Sequence, residues 1–155
     1  MKYTGLMWQP NWDERTKLVA SLIPAGSKVI DFGCGTSVLK KELPKDCSYW
    51  GYNQDDFDLE HKKWPTLPKH DVAVFCGVLE YLKDPMKVIG RMTAKTLIVT
   101  YDCYLSGQDM GKRKQNGWRS HLTAMEMQDG LKLCGYTFED HLAWCGQRIF
   151  RCMKL

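Results

Sequence analysis

The run Lys28-Val-Ile-Asp-Phe-Gly-Cys-Gly-Thr-Ser-Val-Leu39 constrains this chain more than any other segment. Val29, Ile30 and Phe32 read as a short buried strand broken by one acid, Asp31, and Gly33 and Gly35 then open a turn into a helix-forming stretch. Lacking a Cβ, both glycines can take positive φ, and the helix that follows can point its N-terminus at whatever the turn approaches. Such a strand-turn-helix unit belongs to a parallel sheet with crossover helices, and its turn suits a nucleotide-like ligand. A dinucleotide fingerprint would need a third glycine at position 38, where Val38 stands, so a nicotinamide cofactor is disfavoured.

A second signal lies in Lys69-His-Asp-Val-Ala-Val-Phe-Cys-Gly-Val-Leu-Glu-Tyr-Leu-Lys-Asp-Pro85, another apolar strand that ends in small residues and runs into a helix-like segment closed by Asp84-Pro85. Together the two segments resemble the class I S-adenosylmethionine-dependent methyltransferases. The first motif of that family, Asp/Glu-x-Gly-x-Gly-x-Gly, is matched by Asp31, Gly33 and Gly35, with Ser37 in place of the third glycine. A later motif, G-V-L-E-H-L-x-D-P, is matched by Gly77-Val-Leu-Glu-Tyr-Leu-Lys-Asp-Pro85, with Tyr81 for the usual His. The pair at this separation is far more specific than either motif alone.

The chain has 155 residues, the size of one domain with one substantial core. The expectation is a single methyltransferase domain over residues 1–155, with residues 1–24 forming an N-terminal lid and helix. A net charge of +4 is mild, the basic residues are scattered, and the one tight cluster, Lys112-Arg-Lys114, reads as a solvated loop, so a nucleic-acid partner is disfavoured. Seven cysteines, at 34, 47, 76, 103, 134, 145 and 152, include no Cys-x-x-Cys pair, and no His lies at metal-ligand spacing. No metal is expected, and the cysteines read as free thiols of a reducing compartment. No apolar core follows a basic start and no run approaches spanning length, which makes a cytoplasmic protein without a membrane span the expectation.

Elements alternate along the chain. A helix is expected over 12–23, strands over 29–32 and 49–53, and a short helix over 36–43. Residues 58–70, with Pro65 and Pro68, look irregular where the third strand of the family belongs. Further expectations are a strand over 71–76, a helix over 79–92, a strand over 96–101, a long loop over 102–122 and a helix over 123–134 with Thr123 and Glu126 at capping-box spacing. Strands over 136–144 and 147–153 are separated by Cys145-Gly146 alone, and so close a reversal joins only antiparallel strands. The resulting fold is α/β, a Rossmann-like three-layer sandwich around a mostly parallel sheet of seven strands, or six, with an antiparallel C-terminal hairpin.

Ligands of open α/β sheets bind beyond the carboxyl ends of the strands, which gathers residues 31–37, Asn53, residues 76–79 and the loop after Tyr101 around one cleft. The resemblance implies that Gly33, Cys34 and Gly35 pass beside the methionine moiety of S-adenosylmethionine while Asp31 fixes its ammonium. It implies that Asn53, with Gln54 beside it, stands where an acid usually holds the ribose hydroxyls, and that Asp58 and Leu59 serve the adenine. Cys76, Gly77 and Leu79 complete the cofactor site. The aromatic N-terminal segment Tyr3-Thr-Gly-Leu-Met-Trp-Gln-Pro-Asn-Trp12 reads either as a lid over the cofactor, with Arg15 reaching the methionine carboxylate, or as an aromatic plug on the sheet.

Methyl transfer from a sulfonium needs alignment, exclusion of water and, for a hydroxyl acceptor, removal of a proton. The base candidate is His121 in Asn116-Gly-Trp-Arg-Ser-His-Leu-Thr123, a stretch similar to a W-x-N-H-x-T segment of small bacterial methyltransferases associated with surface-glycan assembly. Its alternative role is to organise the loop or cap the next helix. Tyr101, Asp102 and Tyr104 are expected at the same opening. O-methylation of a glycan or small metabolite, with S-adenosylhomocysteine as product, is the first expectation, ahead of N-methylation. The minimal cap over the site leaves room for a protein partner, and Ser37 and Asn53 leave open a catalytically silent methyltransferase-like subunit.

Overall fold

The computed structural model describes residues 11–144 and 147–155. Six strands form one sheet: β1 (Lys28–Phe32), β2 (Ser48–Tyr52), β3 (Val72–Phe75), β4 (Thr96–Asp102), β5 (Tyr136–Trp144) and β6 (Gln147–Lys154). Their order is β2-β1-β3-β4-β6-β5, with β2, β1, β3 and β4 parallel and β6 antiparallel to both β4 and β5. The C-terminal pair takes the antiparallel form, with Trp144 opposite Gln147. The Cys145-Gly146 connection itself lies outside the described residues.

Among the described residues five α-helices flank the sheet: α1 (Asn11–Ser21), α2 (Val38–Glu42), α3 (Pro85–Ile89), α4 (Met110–Gln115) and α5 (Ala124–Leu133). Side-chain alternation along the strands builds two cores. Val29, Val72, Val74 and Ile98 pack with Val19 and Ala20 of α1, Ile23 just beyond it and Leu39 of α2. Ile30, Phe32, Ala73, Phe75, Leu97 and Val99 pack on the other face with Val88 and Ile89 of α3 and Met127 and Leu131 of α5. A central strand covered on both faces must be apolar almost throughout, and β3 and most of β4 are. Among the described residues no helix is long and apolar enough to cross a membrane.

Two expectations are corrected, and the choice between seven strands and six is decided. The sheet has six strands: no strand forms between β2 and β3, and that segment is held instead by Trp64, whose Nε1 donates to the Leu59 carbonyl at 2.9 Å and over whose ring Arg91 stacks at 4.0 Å. The helix expected over 79–92 is divided into a 3-10 turn (Leu79–Tyr81) and α3. Pro85 at the first helical position disfavours helical backbone at Asp84, which instead caps α3 by accepting from the Lys87 N–H at 3.2 Å. The loop over 102–122 contains α4. The capping box of α5 forms as its spacing demands, with Thr123 and Glu126 exchanging hydrogen bonds.

Of the segment from Tyr3 to Trp12, read as a lid or an aromatic plug, residues 3–10 lie outside the described residues, and Asn11 and Trp12 begin α1.

Candidate functional site

The turn after β1 is left-handed at three positions: Gly33 at φ 77°, Gly35 at φ 53° and Ser37 at φ 62°. Ser37 thus adopts the backbone that the missing third glycine would favour. The turn is pinned to the end of β2, because the Gly33 and Cys34 N–H groups both donate to the Tyr52 carbonyl, at 2.6 and 3.1 Å. Asn53 clasps it from the side, accepting from the Gly35 N–H at 2.9 Å and donating to the Gly35 carbonyl at 3.4 Å. The side chain expected to meet the ribose is therefore engaged by the glycine loop. Asp56 accepts from the Asn53 N–H at 2.6 Å, and Asp55 and Asp58 are exposed acids that line the cleft.

Two hollows meet at Gly33. The smaller, about 60 Å³, is lined by Asp13, Arg15, Asp31, Cys34, Gly35 and Cys76 among others. Asp31, only 3% exposed, accepts one hydrogen bond from the Tyr49 hydroxyl at 2.7 Å. Burial pushes its carboxyl up to about 7, with the Tyr49 bond opposing the shift. Burial also raises the Cys34 and Cys76 thiols, which makes them poor nucleophiles at neutral pH. Arg15 is buried and donates to Gln147 of β6 at 3.0 Å. Its guanidinium lies on the backbone of Gly77, where a Cβ would sit 2.7 Å from Nη2. A carboxyl and a guanidinium thus face one small space, the complement of an amino-acid zwitterion.

The larger hollow, about 330 Å³, is lined by Tyr52, Phe57, Tyr81, Leu59 and Leu82, with Asn53, Gln54, Asp55, Asp58 and Arg119 supplying polar atoms. Aromatic and aliphatic walls with a few polar groups suit a nucleoside. Gln54, Asp58 and Leu59, expected at the cofactor, line this hollow. Leu79 does not: it is buried in the core, and Tyr81 and Leu82 take the cleft wall from the same segment.

Beyond the end of β4 sits a polar cluster that joins the candidates Asp102 and His121 to Arg113 and Glu80. Arg113 of α4, read as part of a solvated basic run, is 1% exposed. It donates from Nε to His121 Nδ1 at 2.9 Å, from Nη1 to Asp102 Oδ1 at 3.3 Å and from Nη2 to the Ser120 carbonyl at 3.3 Å, and it packs against the Trp118 ring. Glu80, also buried, accepts from the Asp102 N–H at 3.0 Å through Oε2, while its Oε1 has no partner among the described residues. Burial raises the carboxyls of Glu80 and Asp102, and desolvation with the charges of Arg113 and Lys114 lowers His121. No local pattern marks Arg113 or Glu80 as buried, since their partners are remote in sequence or belong to the backbone.

Tyr101 does not reach the opening either. It is fully buried, its hydroxyl sharing a hydrogen bond with Ser120 Oγ at 2.9 Å and accepting from the Leu122 N–H at 3.0 Å. Its role is to fasten the loop before α5. Tyr101→Phe leaves the part-buried Leu122 N–H without its acceptor and removes one bond from the buried Ser120 Oγ, which keeps the Leu79 carbonyl, and is expected to cost about 1–3 kcal/mol. Chemical denaturation would read that loss, while cofactor affinity should stay within about threefold of wild type, well under the tenfold that 1.4 kcal/mol represents.

No family model matches the chain, and no curated protein matches it. Solved structures do. The [4+2]-cyclase SpnF aligns with TM-score 0.64 at 16% identity, over 97% of this chain and 83% of its own. A methyltransferase from Thermotoga maritima, S-adenosylmethionine-dependent and described as a possible histamine N-methyltransferase, aligns with TM-score 0.62 at 12% identity, over 93% and 89%. The pyocyanin biosynthetic protein PhzM aligns with TM-score 0.61 at 12% identity, over 91% of this chain. The chain spans only 54% of the length of PhzM. One of these neighbours being a cyclase, the likeness speaks for architecture and not for reaction. The chain has the Rossmann-like fold of the S-adenosylmethionine-dependent methyltransferases.

Proposed function

We propose that this protein is an S-adenosylmethionine-dependent methyltransferase acting on a hydroxyl acceptor. The observation that carries the reading is the meeting at Gly33 of a small hollow bearing Asp31 and Arg15 and a larger aromatic-walled one, matching an amino-acid tail joined to a nucleoside. The residues present fit the cofactor. Asp31, buried with a single hydrogen bond, gains a counter-ion when an ammonium group enters, and Arg15 is positioned for a carboxylate. Tyr52, Phe57 and Leu59 offer walls for an adenine, and Asp55 and Asp58 offer acceptors for ribose and amino groups.

When bound, S-adenosylmethionine supplies an electrophilic methyl whose bond to sulfur breaks as the acceptor oxygen's electron pair forms the new C–O bond, leaving S-adenosylhomocysteine. The chain's own contribution is to orient, to exclude water and to receive a proton at the carboxyl end of β4, where Asp102 and His121 are held. Small metabolites and glycans both suit an opening that, among the described residues, is capped by little more than α4 and its flanking loops. Incubation with S-adenosylmethionine and a panel of hydroxylated acceptors should release S-adenosylhomocysteine with at least one of them. Release only with amine acceptors would replace O-methylation by N-methylation.

One observation favours a second reading, a cofactor-free partner subunit: Asn53 spends its amide on Gly35 and brings no charge to the ribose position. Failure of S-adenosylmethionine and S-adenosylhomocysteine to raise the melting temperature would support it.

A further inference from the structure

We propose that Arg113 is a positioning residue that fixes His121 as a neutral hydrogen-bond donor, so that Asp102, not His121, takes the proton of a phenolic acceptor. The inference rests on the methyltransferase reading and deepens it by assigning roles and an acceptor class.

A histidine serves as base when the partner at its other nitrogen is a carboxylate, which holds the Nδ1 proton and raises basicity. Here the partner is the opposite in kind. The buried Arg113 guanidinium donates from Nε to His121 Nδ1 at 2.9 Å, and arginine has no state in which it could accept. Nδ1 must therefore present its lone pair, which places the one proton of the neutral ring on Nε2. A second proton would have to enter at Nδ1 against that donor. Lys114 adds positive charge nearby, and the same shielding from water that buries Arg113 further lowers His121. His121 Nε2–H is then a fixed donor, able to hydrogen-bond an acceptor oxygen as it gains negative charge.

The same guanidinium holds Asp102 through Oδ1, and Oδ2 has no partner among the described residues. Asp102 is partly exposed at the end of β4, with its backbone N–H on Glu80, and its carboxyl is raised by burial. In the step assigned to it, the acceptor O–H bond breaks, the proton bonds to Oδ2 and the electron pair stays on the acceptor oxygen. A carboxylate is a weak base, so it matches a phenol, whose pKa is about 10, far better than a sugar hydroxyl.

Nitrogen NMR of the imidazole groups, without cofactor and with His121 identified by difference against His121→Gln, tests the tautomer directly. The expected result is a neutral ring protonated at Nε2 between about pH 7 and 8. A proton on Nδ1, or a doubly protonated ring in that range, would overturn the assignment. Arg113→Met, if it folds, should raise the His121 titration toward its ordinary range. The roles are read with S-adenosylmethionine and two probes, phenol and 4-nitrophenol, the latter already ionised near neutrality. Asp102→Asn should slow phenol methylation by about 100-fold or more but 4-nitrophenol by less than about tenfold. His121→Gln, which keeps an N–H at the Nε2 position, should retain turnover of both within about tenfold, whereas His121→Ala should not. Equal loss in His121→Gln and His121→Ala on phenol alone would make His121 the base, and no wild-type turnover of either phenol would remove the acceptor class. Failure of the cofactor to bind defeats the methyltransferase reading separately, because the tautomer is measured without it.

Discussion

Replacing Asp31 by asparagine is expected to weaken S-adenosylmethionine binding at least 30-fold at pH 8, about 2 kcal/mol, the lower end for removing one partner of a buried charge pair. The same change should make the protein without cofactor more stable at that pH. The carboxyl is held at about 7 against its ordinary 3.8. Between those two values the folded protein binds a proton that the unfolded chain has lost, so this group's contribution is full below 3.8 and disappears as pH rises through about 7. At 1.36 kcal/mol per unit the span amounts to about 4 kcal/mol at most. Denaturation from pH 4 to 8 should show wild-type stability falling relative to Asp31→Asn across that window. Binding couples to the same proton: below pH 7 an entering ammonium ionises the neutral carboxyl, and one proton is released. Titration calorimetry in two buffers of different ionisation enthalpy reads that release, which Asp31→Asn should abolish.

Gly33→Val should eliminate detectable S-adenosylmethionine binding, a loss beyond 100-fold. Gly33 lines both hollows, so a branched side chain there fills the neck through which a molecule spanning them must pass. It also sits at φ 77°, which a β-branched residue adopts at a cost of about 1–2 kcal/mol. For a domain of this size that corresponds to a fall in Tm of only several degrees. Cooperative unfolding retained alongside lost binding would place the effect in the site. A variant that binds normally would show that no ligand bridges the two hollows at Gly33.

The strands at the centre of the sheet were legible because β1, β3 and β4 are covered on both faces and so keep nearly continuous apolar runs. The C-terminal hairpin was legible from a connection too short for any parallel arrangement. The division of 79–92 was missed although its cause, Pro85, was in view, because apolar spacing carried the expectation of a helix through it. Nothing local distinguishes Arg113 from the lysines beside it. Its burial is decided by Asp102, Ser120 and His121, which only the folded chain brings to it. Tyr101 was placed at the mouth by its position at a strand end, but strand alternation turns its ring into the core with Val99 and Leu97. Tyr49 was invisible as the partner of Asp31 for a related reason: the parallel register of β1 and β2 brings them together across the sheet.

Isothermal titration of the purified protein with S-adenosylmethionine and, separately, S-adenosylhomocysteine tests the central claim most directly. One site filled by both at micromolar affinity is the predicted result. No heat with either would contradict the cofactor assignment and leave a methyltransferase fold put to another use.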